Sequence, residues 1–317
     1  MPAITCKAPG KIILFGEHAV VYGRPAIAVP ISQVQARAIV TANPSKESGE
    51  VEIQAPNIGL QARLKELPPD HPIAVIIEQV ASALQISRLP SFTLRITATI
   101  PVSAGLGSGA AVSVATIRAL SAFLGHLLPD EQVSELAYEV EKLHHGTPSG
   151  IDNTVITYAM PVYYAHRSGN GNIIEPFQVA RPFTLVIGDT GVPSPTASSV
   201  GLVRQAWQAE KERFEHIFDE IGNIAQTARQ VIEAGRSEAL GPLMDENQAL
   251  LHEMGVSSPE LEALIQAARS AGAQGAKLSG GGRGGNMIAL VTPESADSIA
   301  QSLRKAGATR IITTTVE

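Results

Sequence analysis

Hydrophobic and polar positions alternate most strictly over Phe92–Ile100, where Phe92, Leu94, Ile96 and Ala98 share one face and Thr93, Arg95, Thr97 and Thr99 the other. A period of two marks a half-buried strand. Shorter apolar runs at Ile12–Phe15, Ala26–Pro30, Ala36–Thr41 and Val51–Gln54 predict further strands, and Pro72–Leu84 predicts a helix. The small apolar run Ala110–Leu124 fits a buried helix. Asp130–His144 fits a second one, with Val133, Leu136, Ala137, Val140 and Leu143 at helical spacing and Asp130 as a plausible N-cap. Beyond Ala180–Pro182 the pattern changes. A strand at Phe183–Ile187 precedes helical segments around Ser198–Phe218, Ile221–Ala234, Glu238–Met254 and Ser258–Ala271. The chain then reads as strand, Gly-rich turn, strand (Asn286–Val291), helix (Glu294–Ala306) and strand (Thr309–Thr315). This predicts an α+β chain of two domains, 1–180 and 181–317.

Composition narrows the function classes. With 317 residues, 44% hydrophobic and 17% charged, the chain has material for substantial cores and is not a disordered polyelectrolyte. A formal net charge of −6 with no long Lys/Arg run argues against nucleic acid as a partner. It leaves room for a small phosphorylated ligand held by a few cations and backbone N–H groups. Cys6 is the single cysteine, so neither an intrachain disulfide nor a multi-Cys zinc site can form. Met1–Lys11 lacks an apolar stretch of signal-peptide length, and no later run is long enough to span a bilayer. The expected compartment is the reducing cytosol.

Four segments carry candidate chemistry. In the first, Ala8–Lys11 runs into Ile12–Tyr22 and Gly23; Lys11 enters an apolar strand, where a cation is costly without an anionic partner, and Glu17 and His18 follow the turn at Gly16. Lys11 and Glu17 could pair, or the segment could be a surface strand with a polar turn. The second, Pro101–Ala111, places Gly105, Gly107 and Gly109 between a strand and a helix start. Such a turn can converge N–H groups into a phosphate cradle, although no Gly-Lys-Ser/Thr ends it and a plain tight turn also fits. The third, Glu141–Asn153, sets Glu141 beside an apolar helix stripe, and Asp152 lies in the first turn of a short helix, where the dipole favours an ionised carboxylate. Two carboxylates flanking a sharp turn suit metal binding with proton handling; a capped helix with a surface Glu is the plainer account. The fourth, Lys277–Gly285, has five glycines around Arg283, which points to close approach of a ligand to backbone rather than to packing, with a flexible hairpin as the other option. The adjacent His144 and His145 face different directions and make no metal pair, and Trp207 reads as packing or an oligomer contact.

Taken in order, these segments resemble the GHMP kinases, and the match spans both ends and the middle of the chain. The resemblance is strongest to the mevalonate-phosphorylating members, through Gly16–Gly23, Pro56–Gly59 and His145–Asn153. It implies an N-terminal domain like ribosomal protein S5 domain 2 and a C-terminal ferredoxin-like domain. It implies ATP as co-substrate, Mg²⁺, mevalonate as the small-molecule acceptor and a homodimer. Residue by residue, Asp152 would take or direct the hydroxyl proton and Lys11 would neutralise charge during transfer. Asn57 and the loop Ser103, Ala104, Gly105, Leu106, Gly107, Ser108 and Gly109 would hold the nucleotide. Glu141, with Ser108, would bind Mg²⁺, and Glu17, His18 and Thr196 would line the acceptor site.

The chain departs from the family pattern in three places. Gly109 stands where a metal-binding serine is usual, so either Ser108 or water would take that role or the metal geometry would differ. Ala98 replaces a polar nucleotide contact. Arg283 replaces what is often glycine and would add a cation near the phosphates. Alternatives within the family are kinases for phosphomevalonate, the mevalonate 3-hydroxyl or a sugar, and a sister decarboxylase. A non-catalytic sensor on the same fold would be expected to have lost Lys11, Glu141 or Asp152, and all three are present.

Overall fold

The computed structural model describes residues 3–101, 104–145, 148–165, 173–193 and 196–317. They form two compact units, one of Met1–Gly10, Val34–Pro101 and Gly107–Ala159, the other of Lys11–Gln33, Val102–Leu106 and Met160–Glu317. Two long paired strands, β1 (Ala3–Phe15) and β2 (Ala26–Ala42), contribute residues to both.

In the first unit β3 (Val51–Ala55), β4 (Leu60–Arg63) and β5 (Phe92–Ala98) complete the order β4-β3-β5-β2. β5 runs antiparallel to β2, with Ala36 opposite Ala98 and Ala42 opposite Phe92, and parallel to β3. The alternation read in β5 is the alternation observed: Phe92, Leu94 and Ile96 are buried and Arg95 is exposed. The helices of this unit are α1 (Pro72–Ala83), α2 (Ser108–Phe123), α3 (Asp130–His145) and α4 (Ile151–Tyr158). α2 touches the other three helices and β5. Its buried positions are mostly small, among them Ala110, Ala111, Ser113, Ala115 and Ala119, which lets neighbours approach from several sides. The stripe predicted for α3 holds for Val133, Ala137 and Val140, while Leu143 is 47% exposed because the packed stretch ends one turn earlier.

In the second unit β6 (Val162–Ala165) pairs with the start of β2, and β7 (Ile173–Pro176) pairs with β6. A second sheet contains β8 (Phe183–Asp189), with α5 (Thr196–Ala209), α6 (Lys211–Glu233), α7 (Leu240–Glu253) and α8 (Pro259–Ser270) following in the chain. After them come β9 (Gly275–Ser279), β10 (Asn286–Val291), α9 (Ala296–Lys305) and β11 (Arg310–Val316). The sheet order is β11-β8-β10-β9, all neighbours antiparallel. Numbered within the sheet this is 4-1-3-2, the ferredoxin-like arrangement that the family resemblance implies.

The core of this unit gathers Phe214, Phe218 and Ile221 of α6, Leu261 and Leu264 of α8, and Met287 and Ala289 of β10. The 3₁₀ turn Ala19–Tyr22 stands on α6: Tyr22 stacks on Phe218 at 4.1 Å between centroids and 11° between planes. Arg24 fastens the end of that turn through Glu215 at 2.5 Å and Asp219 at 2.8 Å. Trp207 is a packing residue, 5.2 Å from the Tyr22 ring, with its indole N–H donated to Glu215. No helix among the described residues is long and apolar enough to cross a membrane.

Candidate active site

In the first unit α2 begins at Ser108, and Gly107, at φ 72, is its N-cap. No side chain caps this start, where the first N–H groups of a helix lack intrahelical partners and the dipole is positive. Gly109, in the first turn, is exposed. A side chain there would bring its Cβ to 3.2 Å from Glu141 Oε1, so the Glu141 carboxylate lies directly against the start of α2. Glu141 is buried at 6% exposure on the packed face of α3. An oxygen donor held at a helix N-terminus fits the chemistry of a hard, hydrated cation such as Mg²⁺, which takes one or two protein carboxylates and completes its shell with phosphate and water.

Asp152 lies in the first turn of α4, half-buried, after Gly150 at φ 83. Its neighbour fixes that turn: the buried Asn153 amide donates to Ser134 O at 3.1 Å and Ser134 Oγ at 2.9 Å, tying α4 to α3. Tyr138 donates to Pro148 O at 3.2 Å and holds the segment entering the turn. Helices α3 and α4 pack together, so the elements carrying Glu141 and Asp152 are neighbours. Asn57 is committed to the backbone of β5. It donates to Ala98 O at 3.2 Å and accepts from Ala98 N at 3.0 Å, so the residue expected to hold nucleotide and the alanine marked as a departure form one clasp.

In the second unit Lys11 is buried at 8% exposure, and its backbone N–H donates to Leu106 O at 3.0 Å. Ala104 O accepts from the Asn286 amide at 2.6 Å. Glu17 does not pair with Lys11. It pairs with Lys277, both side chains being 0% exposed, and Lys277 also donates to Leu278 O at 2.7 Å. Burial raises the Glu17 pKa and lowers that of Lys277, and in each case the attraction of the partner opposes the shift. His18, at φ 60 and 5% exposure, places Nε2 3.0 Å from Gly281 O. Burial pushes its pKa down, favouring the neutral ring. Ser279 Oγ donates to Ile13 O at 2.7 Å, a third contact between the Lys277–Gly285 segment and the start of the chain.

The glycines of that segment need a different account from the one expected. A Cβ at Gly282 would sit 2.2 Å from Val256 O, and one at Gly284 2.6 Å from Val192 O. Both residues have positive φ, so chain packing alone requires glycine at these two positions. Gly280 has open space around it and keeps the ligand reading available. Arg283, exposed and at φ 60, lies between Gly282 and Gly284 in the chain and makes no ion pair among the described residues.

Sequence reasoning missed Lys277 and Asn286 as site-building residues. Lys277 could have been found: a lysine in a short apolar strand carries the same signal that drew notice to Lys11. Ser103 and the side chain of Thr196 lie outside the described residues, as do the side chains of His144 and His145.

Comparison with known proteins settles the family. The model for the GHMP kinases N terminal domain matches residues 73–160, and that for GHMP kinases C terminal matches 228–309. A mevalonate kinase of Thermococcus gammatolerans is 38% identical over 98% of this chain and 95% of its own length. The chain belongs to the GHMP kinases. As a GHMP kinase it is an ATP-dependent phosphotransferase acting on an alcohol group. Solved GHMP kinases share its fold: the L. major mevalonate kinase in complex with R-mevalonate has a TM-score of 0.84 at 32% identity, covering 99% of this chain and 95% of that one. The Methanococcus jannaschii mevalonate kinase has a TM-score of 0.85 at 27% identity, covering 100% and 99%.

Proposed function

We propose that this GHMP kinase transfers the γ-phosphoryl group of ATP to the 5-hydroxyl of mevalonate, giving 5-phosphomevalonate and ADP. The observation that carries the reading is the Glu141 carboxylate set against Gly109 at the N-terminus of α2, a place suited to a metal–phosphate group. Curated mevalonate kinases matching nearly the whole chain, among them that of Pyrococcus horikoshii at 37% identity, support mevalonate as the acceptor.

In the transfer the 5-hydroxyl oxygen forms a bond to Pγ, the bond from Pγ to the bridging oxygen of ADP breaks, and the hydroxyl proton passes to Asp152. The N–H groups at the start of α2 stabilise phosphate charge, and the Lys11 ammonium offsets charge developing during transfer. Glu141 would hold Mg²⁺, with Ser108 or water in place of the serine absent at 109; the ion would neutralise phosphate charge and orient the nucleotide. Ser103–Gly109 and Asn57 would bind nucleotide, and Glu17, His18 and Thr196 would contact the acceptor. On this reading 1–180 carries the phosphate loop and catalytic carboxylate and 181–317 completes the enzyme, which would act in the cytosol, as a homodimer.

A coupled ADP-release assay with mevalonate, 5-phosphomevalonate, galactose and homoserine, followed by NMR of the product, tests the acceptor. Phosphate on carbon 5 of mevalonate is expected, and turnover of another acceptor with none of mevalonate overturns the assignment. Asp152→Asn should bind ATP normally and lose about 10²–10⁴-fold in turnover, the range typical of a positioned proton acceptor. Near-normal turnover would remove Asp152 from the reaction.

A further inference from the structure

Two buried side-chain atoms on consecutive residues of the Gly16–Gly23 turn lack a hydrogen-bond partner: Glu17 Oε2 and His18 Nδ1. Their chemistry follows from what their neighbouring atoms do. Gly281 O can only accept, so His18 Nε2 carries the hydrogen, and Nδ1 of the neutral ring is a bare acceptor. Lys277 occupies Glu17 Oε1, and Oε2 keeps its full accepting capacity. The pair Glu17–His18 therefore offers two unspent acceptors and no unspent donor.

The rest of the turn is built to hold them there. Gly16 is at φ 95, and a Cβ on it would lie 2.4 Å from Ala26 Cα, so the chain cannot shift toward β2. Tyr22 is stacked on Phe218, and Ser279 anchors Ile13 from the same strand that carries Lys277. Lys277 itself has no exposed surface, and its ammonium is divided between Glu17 and Leu278 O. It cannot touch a ligand directly, but it decides which oxygen of Glu17 remains available.

We propose that Lys277 is a positioning residue for the acceptor: by taking one oxygen of Glu17 it leaves Glu17 Oε2 and His18 Nδ1 as paired hydrogen-bond acceptors for a hydroxyl group. The inference rests on the kinase reading above and makes it more specific. Two acceptors, one of them a carboxylate oxygen, repel an acid group, so the carboxylate of the acceptor binds elsewhere; with the 5-hydroxyl assigned to the phosphoryl transfer, the subsite takes the 3-hydroxyl. Neither atom reaches solvent in this conformation, so hydroxyl binding requires the groups packed over the two atoms to move while the turn itself stays in place.

The test compares mevalonate with 5-hydroxy-3-methylpentanoate, which lacks only the 3-hydroxyl, by kcat/KM in the ADP-release assay. The wild type should prefer mevalonate by on the order of 10²-fold, since a site built to bind a hydroxyl discriminates strongly against its absence. Lys277→Met should lose about tenfold or more of that preference while the KM for ATP stays within about twofold, and Lys277→Arg should restore part of it. His18→Phe, which keeps a ring and loses the acceptor, should reduce the same ratio and serves if Lys277→Met does not fold. A loss of stability alone lowers both substrates equally and leaves the ratio untouched. Equal use of both compounds by the wild type, or an unchanged ratio in the folded variants, overturns the inference with the kinase reading intact. A wild type inactive on mevalonate overturns both.

Discussion

At the scale of single residues, His18 and Arg283 share an unusual backbone and differ in what they do with it. Both are non-glycine residues near φ 60. For His18 the consequence is electrostatic. Burial holds its pKa below the ordinary 6.5, so below that pH the unfolded chain takes up a proton that the folded chain refuses. Its contribution to stability is complete above pH 6.5 and is lost as the pH falls toward the depressed folded value. Thermal melts from pH 7.5 to 5 should therefore show the wild type losing more Tm than His18→Phe; parallel curves would mean that the ring titrates normally. For Arg283 the consequence is a trade. A left-handed non-glycine residue costs about 1–2 kcal/mol, and glycine returns about 0.5–1 kcal/mol of that as chain entropy. Arg283→Gly should thus raise Tm by about 1–2 °C. If the guanidinium meets the phosphates, the same change raises the nucleotide KM severalfold, and an unchanged KM would assign the arginine to the surface alone.

At the scale of elements, the N-terminus of α2, where Gly109 lies against Glu141, is where a small change is informative. Gly109→Ser adds a hydroxyl beside Glu141, with a Cβ contact of 3.2 Å that the end of the glutamate side chain must ease by a few tenths of an ångström. Serine is the better helix former by about 0.5 kcal/mol, so stability should hold. Turnover measured against free Mg²⁺ should saturate at a severalfold lower concentration. A higher requirement would show that the glycine is matched to the geometry of Glu141 and that the added hydroxyl disturbs it. Elements also differ in how far the sequence reveals them. β5, β10 and α8 were readable because alternation, apolar runs and the Ser258 cap agree with their surroundings. The short strands β4, β6 and β7 were not, since four residues carry too little period to register. The division of the long helical stretch falls at Glu210 rather than near residue 219, because the apolar face of α6 continues from Phe214 through Ile217, Phe218 and Ile221 without interruption.

At the scale of the whole molecule, the motif order revealed the family and the ferredoxin-like sheet, while the long-range pairing stayed hidden. Nothing local to Glu17 specifies Lys277 over Lys11 as its partner; that choice depends on which lysine the fold carries into the same dry interior. Likewise Gly282 and Gly284 looked like ligand-contacting glycines because the backbones they touch, at Val256 and Val192, are remote in sequence. The partnership of Glu17 and Lys277 spans 260 positions, and this separation bears on how the protein is made. At about 5–20 residues per second the nascent chain carries an unmatched glutamate for roughly 13–52 s before the lysine follows it out of the ribosome. Until then the Lys11–Gln33 stretch has no finished interior to enter, and a message broken before codon 277 would release a polypeptide whose first turn can never be neutralised.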